Sequence, residues 1–145
     1  VFVFVFFGLV ATAGTTFVQA GQIVDEAWLG GTVAGLFACA VLLANNLRDI
    51  DQDRLAGKRT LTVLIGRRAT QVLFTVLVLV PLAIILLIAQ VYPLAWLGLW
   101  ALVPVACALL IVWTYRAPRE LVVALSITSW TSLAVAALLY WAYTG

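Results

Sequence analysis

Histidine and methionine are both missing from this chain. Without histidine there is no imidazole to carry protons near neutral pH, and no His-ligated metal centre. Charge is scarce as well: Asp, Glu, Lys and Arg make up 10% of the residues, against roughly 25% in ordinary soluble domains. The net charge of +2 is too small for a nucleic-acid surface, so no nucleic-acid partner is expected. The two cysteines, Cys39 and Cys107, each lie inside a long apolar run. They read as small core residues rather than as a disulfide framework. The chain opens at Val1 within an apolar stretch that no basic segment precedes, so the opening does not read as a signal peptide. With no methionine there, the expectation is the C-terminal part of a longer protein, inactive alone.

What remains is hydrophobic. Apolar residues make up 66% of the sequence, and mean hydropathy is +1.17. Five apolar segments, about 1–20, 28–44, 72–89, 94–113 and 121–140, approach the roughly 20 residues that a helix needs to cross a hydrocarbon core. The opening VFVFVFF alternates like a strand, but a lone strand cannot satisfy its backbone in lipid, so helix is expected. The fold class is therefore all-α: a polytopic transmembrane helical bundle, one transmembrane domain over 1–145. Pro81 and Pro104 read as kinks within the third and fourth spans, or as a break in the fourth at Pro104.

The charges give an orientation. All eight Lys and Arg residues lie at 48–68 or at Arg116 and Arg119, in the second and fourth connections. The first connection holds Asp25 and Glu26 with no basic residue, and the third holds no charge. Cytoplasmic loops retain Lys and Arg. The expectation is a multi-pass protein of the cell membrane, in contact with the lipid bilayer, with its charged segment 45–68 in the cytoplasm. Trp28, Tyr92, Trp96, Trp113, Tyr115, Tyr140, Trp141 and Tyr143 fall near span ends, as an aromatic belt does. Trp130 is mid-span and reads equally as cavity lining or as a packed indole. Thr12, Thr15, Thr16 and Gln19 share one helix face, suited to interhelical hydrogen bonds or, less favoured, to a substrate cavity. Gly31-x-x-x-Gly35 reads as a site of close helix packing.

The polar residues concentrate in NNLRDIDQDRLAGKRTL, residues 45–61. If the second span continues as helix, Asn45, Asp49 and Asp53 project from one face at i, i+4 and i+8. Two carboxylates and an amide oxygen are hard ligands, suited to Mg²⁺ or Ca²⁺. Lys58 and Arg59 would then meet a phosphate, and Gly57 would free the backbone where helix ends. Asp49, Asp51 and Asp53 also match the start of an EF-hand loop, but Arg54 stands where Gly is required and Thr60 where Glu is required, so that reading fails. Three readings remain on spacing alone: a magnesium–phosphate site, a solvated loop with local ion pairs, and a transport path.

The segment resembles the second aspartate-rich motif of the UbiA superfamily of intramembrane prenyltransferases. More narrowly, it resembles the 1,4-dihydroxy-2-naphthoate polyprenyltransferase branch, on Asn45-Asn46-x-Arg48-Asp49-xxx-Asp53-xxx-Gly57-Lys58-x-Thr60-Leu61. That resemblance implies the last five helices of a nine-helix fold. It implies an enzyme that transfers a polyprenyl group from polyprenyl diphosphate to 1,4-dihydroxy-2-naphthoate, with loss of CO₂ and diphosphate, in menaquinone biosynthesis. It implies Mg²⁺ as cofactor, held by Asp49 and Asp53 with help from Asn45. Lys58, Arg48 and Asn46 would contact the diphosphate, and Asp51 would be solvated. The family's first aspartate-rich motif does not occur in the sequence. The alternatives are a related enzyme with a 4-hydroxybenzoate acceptor, or a membrane transporter or assembly subunit without catalysis.

Overall fold

The computed structural model describes residues 1–144. Six helices account for the ordered elements, and there is no strand among the described residues. They are α1 (Phe4–Ala20), α2 (Asp25–Arg48), the short α3 (Ile50–Leu55), α4 (Leu61–Ile88), α5 (Pro93–Thr114) and α6 (Glu120–Thr144). Four of them, α2, α4, α5 and α6, are long and apolar enough to cross a membrane. The expected first span is the shorter α1, which at about 1.5 Å per residue falls a few ångströms short of a full hydrocarbon core. The third span begins well before residue 72, because α4 starts at Leu61.

The opening VFVFVFF is helical despite its alternation, but not as a regular α-helix. Phe4–Val10 winds as a π-helix before α1 continues as α from Ala11. Its one buried residue is Gly8. A Cβ at Gly8 would lie 2.6 Å from the Gly31 carbonyl oxygen and 2.7 Å from the Gly35 Cα. Gly31-x-x-x-Gly35 is thus the surface on which α1 crosses α2, in line with its reading as a close-packing motif. Gly21, at φ 72, ends α1 by donating its N–H to Phe17 O at 2.8 Å.

Helix α2 is the centre of the bundle. It packs against α1, α4 and α6, and its buried residues, among them Val33, Phe37, Ala40, Leu43 and Leu47, cover several faces. Phe74, Val78 and Ile85 of α4 and Leu121 and Val135 of α6 complete the core. The outer faces carry Trp100, Val103, Leu110, Trp130 and Leu133 in the open, as a lipid-facing surface does. Trp130 is 71% exposed, so it is not a packed indole. Cys107 is exposed and Cys39 half-buried; only the second approaches the core position expected of both.

Two helices are divided internally. In α4 the division is at Gly66, with φ 81 and ψ 171, and the helix continues through Pro81. In α5 residues Pro93–Ala101 form a 3-10 helix, and the α form begins at Leu102. The change precedes Pro104, which sits two residues into the α part. The 3-10 half rises about 2.0 Å per residue, so α5 reaches further than an α-helix of equal length.

The connections meet as alternating spans require. Tyr92 Oη donates to Glu26 Oε1 at 2.7 Å, joining the two connections that lack basic residues. Arg67 Nη1 donates to Tyr115 Oη at 3.3 Å, at the basic end of the bundle. Gln71 Nε2 to Val112 O at 2.8 Å and Trp113 Nε1 to Thr75 Oγ1 at 3.1 Å tie α4 to α5 there.

Candidate functional site

The polar segment 45–61 forms a corner at the C-terminal end of α2. Leu47 and Ile50, each 1% exposed, anchor it on either side of Asp49. Asp49 itself leaves helical geometry at φ −95 and ψ 5, and α3 starts at the next residue. The turn is nevertheless bridged, because Asp53 N donates to Asp49 O at 2.8 Å. Asn45, Asp49 and Asp53 therefore follow one another at helical spacing, as the i, i+4, i+8 pattern suggests, with a break in the axis at the middle residue.

The end of α3 explains why a glycine and a lysine stand four and five residues after Asp53. Gly57 has φ 69, the left-handed region that an L side chain enters at a cost. Its N–H donates to Arg54 O at 3.2 Å, and Lys58 N–H donates to Asp53 O at 2.9 Å. This pair of bonds is a Schellman turn. It folds the chain back so that Lys58 Nζ reaches Asp53 Oδ1 at 2.9 Å. Asp53 is 7% exposed as a residue, so its charge is balanced by a partner that a backbone turn positions.

Asp49 is held differently. Arg48 grips it with two parallel bonds, Nε to Oδ1 at 2.7 Å and Nη2 to Oδ2 at 2.8 Å. The hydrogen bonds from Arg48 hold the Asp49 carboxyl below its usual range, against a smaller opposing effect of burial. The bond to Asp53 raises the pKa of the Lys58 ammonium above its usual value. Asp51 is not merely solvated as expected: it forms an ion pair with Arg67 of α4. Thr62, fully buried, donates to Asn46 O at 3.3 Å and accepts from Thr60 at 3.0 Å. The hydroxyls thus tie the start of α4 to the end of α2. Thr62 was invisible as a site residue in the sequence, since its partner lies sixteen positions away.

Asn45 is half-buried. With Phe7, Ala38, Leu42, Leu125, Ser129 and others it lines an open groove of about 590 Å³, within the range of ligand pockets. Asn46 contributes a backbone carbonyl to Thr62. Thr15 and Thr16 spend their hydroxyls on Ala11 O and Thr12 O of their own helix, not on a neighbour. Thr12 and Thr16 border a second cavity instead.

The donor set suits a hard divalent ion that shares its coordination sphere with a phosphate. Mg²⁺ is commonly bound by one or two carboxylates, waters and substrate oxygens, and Asp49 and Asp53 stand one turn apart. Among the described residues no group of three or more Asp, Glu or Cys side chains converges into an all-protein cage. The corner therefore fits part of a magnesium–diphosphate site. It carries two carboxylates, with Arg48 and Lys58 beside them.

Known proteins resemble the chain over part of its length. The chain is 40% identical over 94 residues to a 1,4-dihydroxy-2-naphthoate octaprenyltransferase of Haemophilus influenzae, covering 65% of this chain and 30% of that protein. It is 51% identical over 73 residues to the protein of that name in Mycobacterium tuberculosis, covering 50% of this chain and 25% of the relative. A UbiA prenyltransferase domain-containing protein 1 homolog of Drosophila melanogaster is 42% identical over 65 residues, covering 45% of this chain and 17% of the relative. The chain thus spans less than a third of the length of the relatives it matches. No solved structure matches it. The model of the UbiA prenyltransferase family matches residues 1–124, from the first helix through the aspartate corner into α6, and the chain belongs to that family.

Proposed function

We propose that the protein of which this chain forms part transfers a polyprenyl group from its diphosphate to 1,4-dihydroxy-2-naphthoate. The allylic C–O bond breaks and its electron pair leaves with diphosphate. A ring carbon of the acceptor attacks the allylic cation, the acceptor's carboxyl group leaves as CO₂, and a demethylmenaquinol results. The observation that carries this reading is the corner itself: two carboxylates one turn apart, each beside its own cation, at the end of a membrane helix. The names of the two bacterial relatives support the choice of acceptor.

The residues divide the work. Asp49 and Asp53, with Asn45 beside them, would hold Mg²⁺, which when bound supplies positive charge where negative charge grows on the leaving diphosphate. Arg48 and Lys58 are the cations in place to pair with diphosphate oxygens, and Asn46 stands next to them. Leu47 and Ile50 keep the corner rigid and dry behind the carboxylates. The open groove below Asn45 is lined mostly by apolar side chains, which would face the prenyl group. The corner belongs on the cytoplasmic side, because basic residues are retained there. The cell membrane is the expected location.

The test uses the full-length protein in membranes with Mg²⁺, a polyprenyl diphosphate and 1,4-dihydroxy-2-naphthoate. Prenylated product and CO₂ are expected, with a loss of at least about a hundredfold, or ~2.7 kcal/mol of barrier, in Asp49→Ala and in Asp53→Ala. Product only with 4-hydroxybenzoate would move the acceptor. No product with any acceptor, or full activity in both variants, would overturn the reading.

A further inference from the structure

Of the three ion pairs among the described residues, two close within the corner itself: Arg48 with its neighbour Asp49, and Lys58 with Asp53. Such pairs move with the segment that carries them. The third leaves the segment, because Asp51 of α3 pairs with Arg67 of α4. Helix α3 needs a tie of this kind. It has six residues, too few to hold a helix by its own hydrogen bonds. The chain also leaves helical geometry on both sides of it, at Asp49 and at Gly66. Residues 50–65 are thus a short piece between two bends. Thr62 fastens that piece to α2 through Asn46 O, on the near side of Gly66. Arg67 is the first residue on the far side. It stands on a fixed base: Thr70, Phe74 and Val78, all fully buried, run down one face of α4 into the core. The Thr70 hydroxyl donates to Gly66 O at 2.7 Å, at the bend itself. Gln71 Nε2 and Trp113 Nε1 bind α4 to α5 within the next two turns.

From this base one guanidinium reaches two partners. Its Nη2 donates to Asp51 Oδ2, and its Nη1 to Tyr115 Oη, just past the end of α5, at 3.3 Å. A rigid planar fork suits two such acceptors better than a single ammonium does. Resting on the metal site proposed above, we infer that Arg67 is a positioning residue: through Asp51 it fixes the tilt of α3 against α4 and α5, and so the spacing at which Asp49 and Asp53 present their carboxylates to a divalent ion. Asp49 lies at the bend and Asp53 one turn beyond it, so a change of tilt moves the second carboxylate relative to the first. Mg²⁺ accepts little departure from octahedral geometry, so its affinity follows that spacing closely. Asp51 is two residues from each carboxylate and is not itself a ligand, so its bond to Arg67 stays closed while Asp49 and Asp53 exchange partners. Both side chains of the pair are about half exposed, and an exposed pair adds little to global stability. Its effect is on the geometry of the metal site.

The experiment uses the full-length protein and two readouts. Mn²⁺ binding in the presence of inorganic diphosphate is read from the loss of the free ion's paramagnetic resonance signal, and turnover is followed against Mg²⁺ concentration. Arg67→Ala and Asp51→Asn are each expected to weaken Mn²⁺ binding by about tenfold, and to raise the Mg²⁺ concentration for half-maximal turnover in step, with the melting temperature unchanged. The double variant should lose no more than either single one. Arg67→Lys, which keeps the charge but not the fork, should fall between Arg67→Ala and the unaltered protein. If Arg67→Ala fails to fold, Asp51→Asn and Arg67→Lys decide. A loss in Asp51→Asn with full affinity in both Arg67 variants would make Asp51 a ligand and overturn the inference. Full affinity in every variant, or losses that add in the double one, would overturn it as well. The binding readout needs no product, so an unaltered protein that binds Mn²⁺ but forms no product would remove the prenyl-transfer reading while the variants still decide the role of Arg67. Mn²⁺ binding that survives Asp49→Ala and Asp53→Ala in full would remove the metal site, and the inference with it.

Discussion

Gly57 is where a single side chain would disturb the corner most locally. Its φ of 69 costs an L-residue about 1–2 kcal/mol, and no neighbouring atom lies within 4 Å of a Cβ built there. Gly57→Ala is therefore expected to act through backbone strain alone. It should lower the melting temperature in detergent and raise KM for the diphosphate, because the turn that aims Lys58 loosens. In a Lys58→Ala background the added effect on KM should vanish; a full effect there would disconnect the turn from the lysine. The Arg48–Asp49 pair makes a second prediction, about acid. The folded carboxyl sits below its usual value, so the pair's contribution is fully present above the ordinary carboxylate pKa of about 3.9 and fades only as pH falls through the lower folded value. An infrared band for ionised Asp49, assigned with Asp49→Asn, should persist at mildly acidic pH and shift upward in pH in Arg48→Gln.

At the scale of elements, the crossing of α1 on α2 rests on three glycines. Gly8→Ala would put a methyl group against backbone on both sides, and overpacking of this kind costs about 1–3 kcal/mol. Gly14, with nothing within 4 Å of its built Cβ, is the control: Gly14→Ala should leave thermal stability unchanged or slightly raised. Equal loss in both variants would mean that the crossing is not the cause. The glycines of α2 could be read from their spacing, and helix could be expected for VFVFVFF because lipid forbids a lone strand. The π-turns of α1 and the 3-10 half of α5 could not. Each is set by what the helix packs against, such as Gly98 of α5 pressed to Ile85, where a Cβ would lie 2.9 Å from Cγ2.

At the scale of the molecule, the alternation of connections predicts which residues share a side. With Cys39 and Cys107 replaced by Ala, single cysteines at Arg59 and at Arg116 should react with an impermeant thiol reagent from the same side, and one at Gln90 from the other. Labelling of Arg59 and Gln90 from one side would break the topology. The corner was legible beforehand because Asn45, Asp49, Asp53, Gly57 and Lys58 are neighbours in sequence and a helix with a turn suffices to assemble them. The groove beside Asn45 was not, since residues from α1, α2 and α6 line it. The same holds for the Asp51–Arg67 and Glu26–Tyr92 contacts, whose partners are 16 and 66 positions apart.

The three ion pairs of the corner have a consequence for the order of events. Arg48 is paired with Asp49 at the C-terminal end of α2, Lys58 with Asp53 of α3, and Arg67 of α4 with Asp51 of α3. Arg48 and Lys58 are committed to the two carboxylates that would hold the metal, so metal binding at those carboxylates would release both cations toward the diphosphate. A diphosphate and its metal should therefore enter as partners, each raising the other's affinity by the same factor, as thermodynamic linkage requires. Calorimetric titration of the diphosphate with and without Mg²⁺, and of Mg²⁺ with and without the diphosphate, should return one coupling energy from both directions.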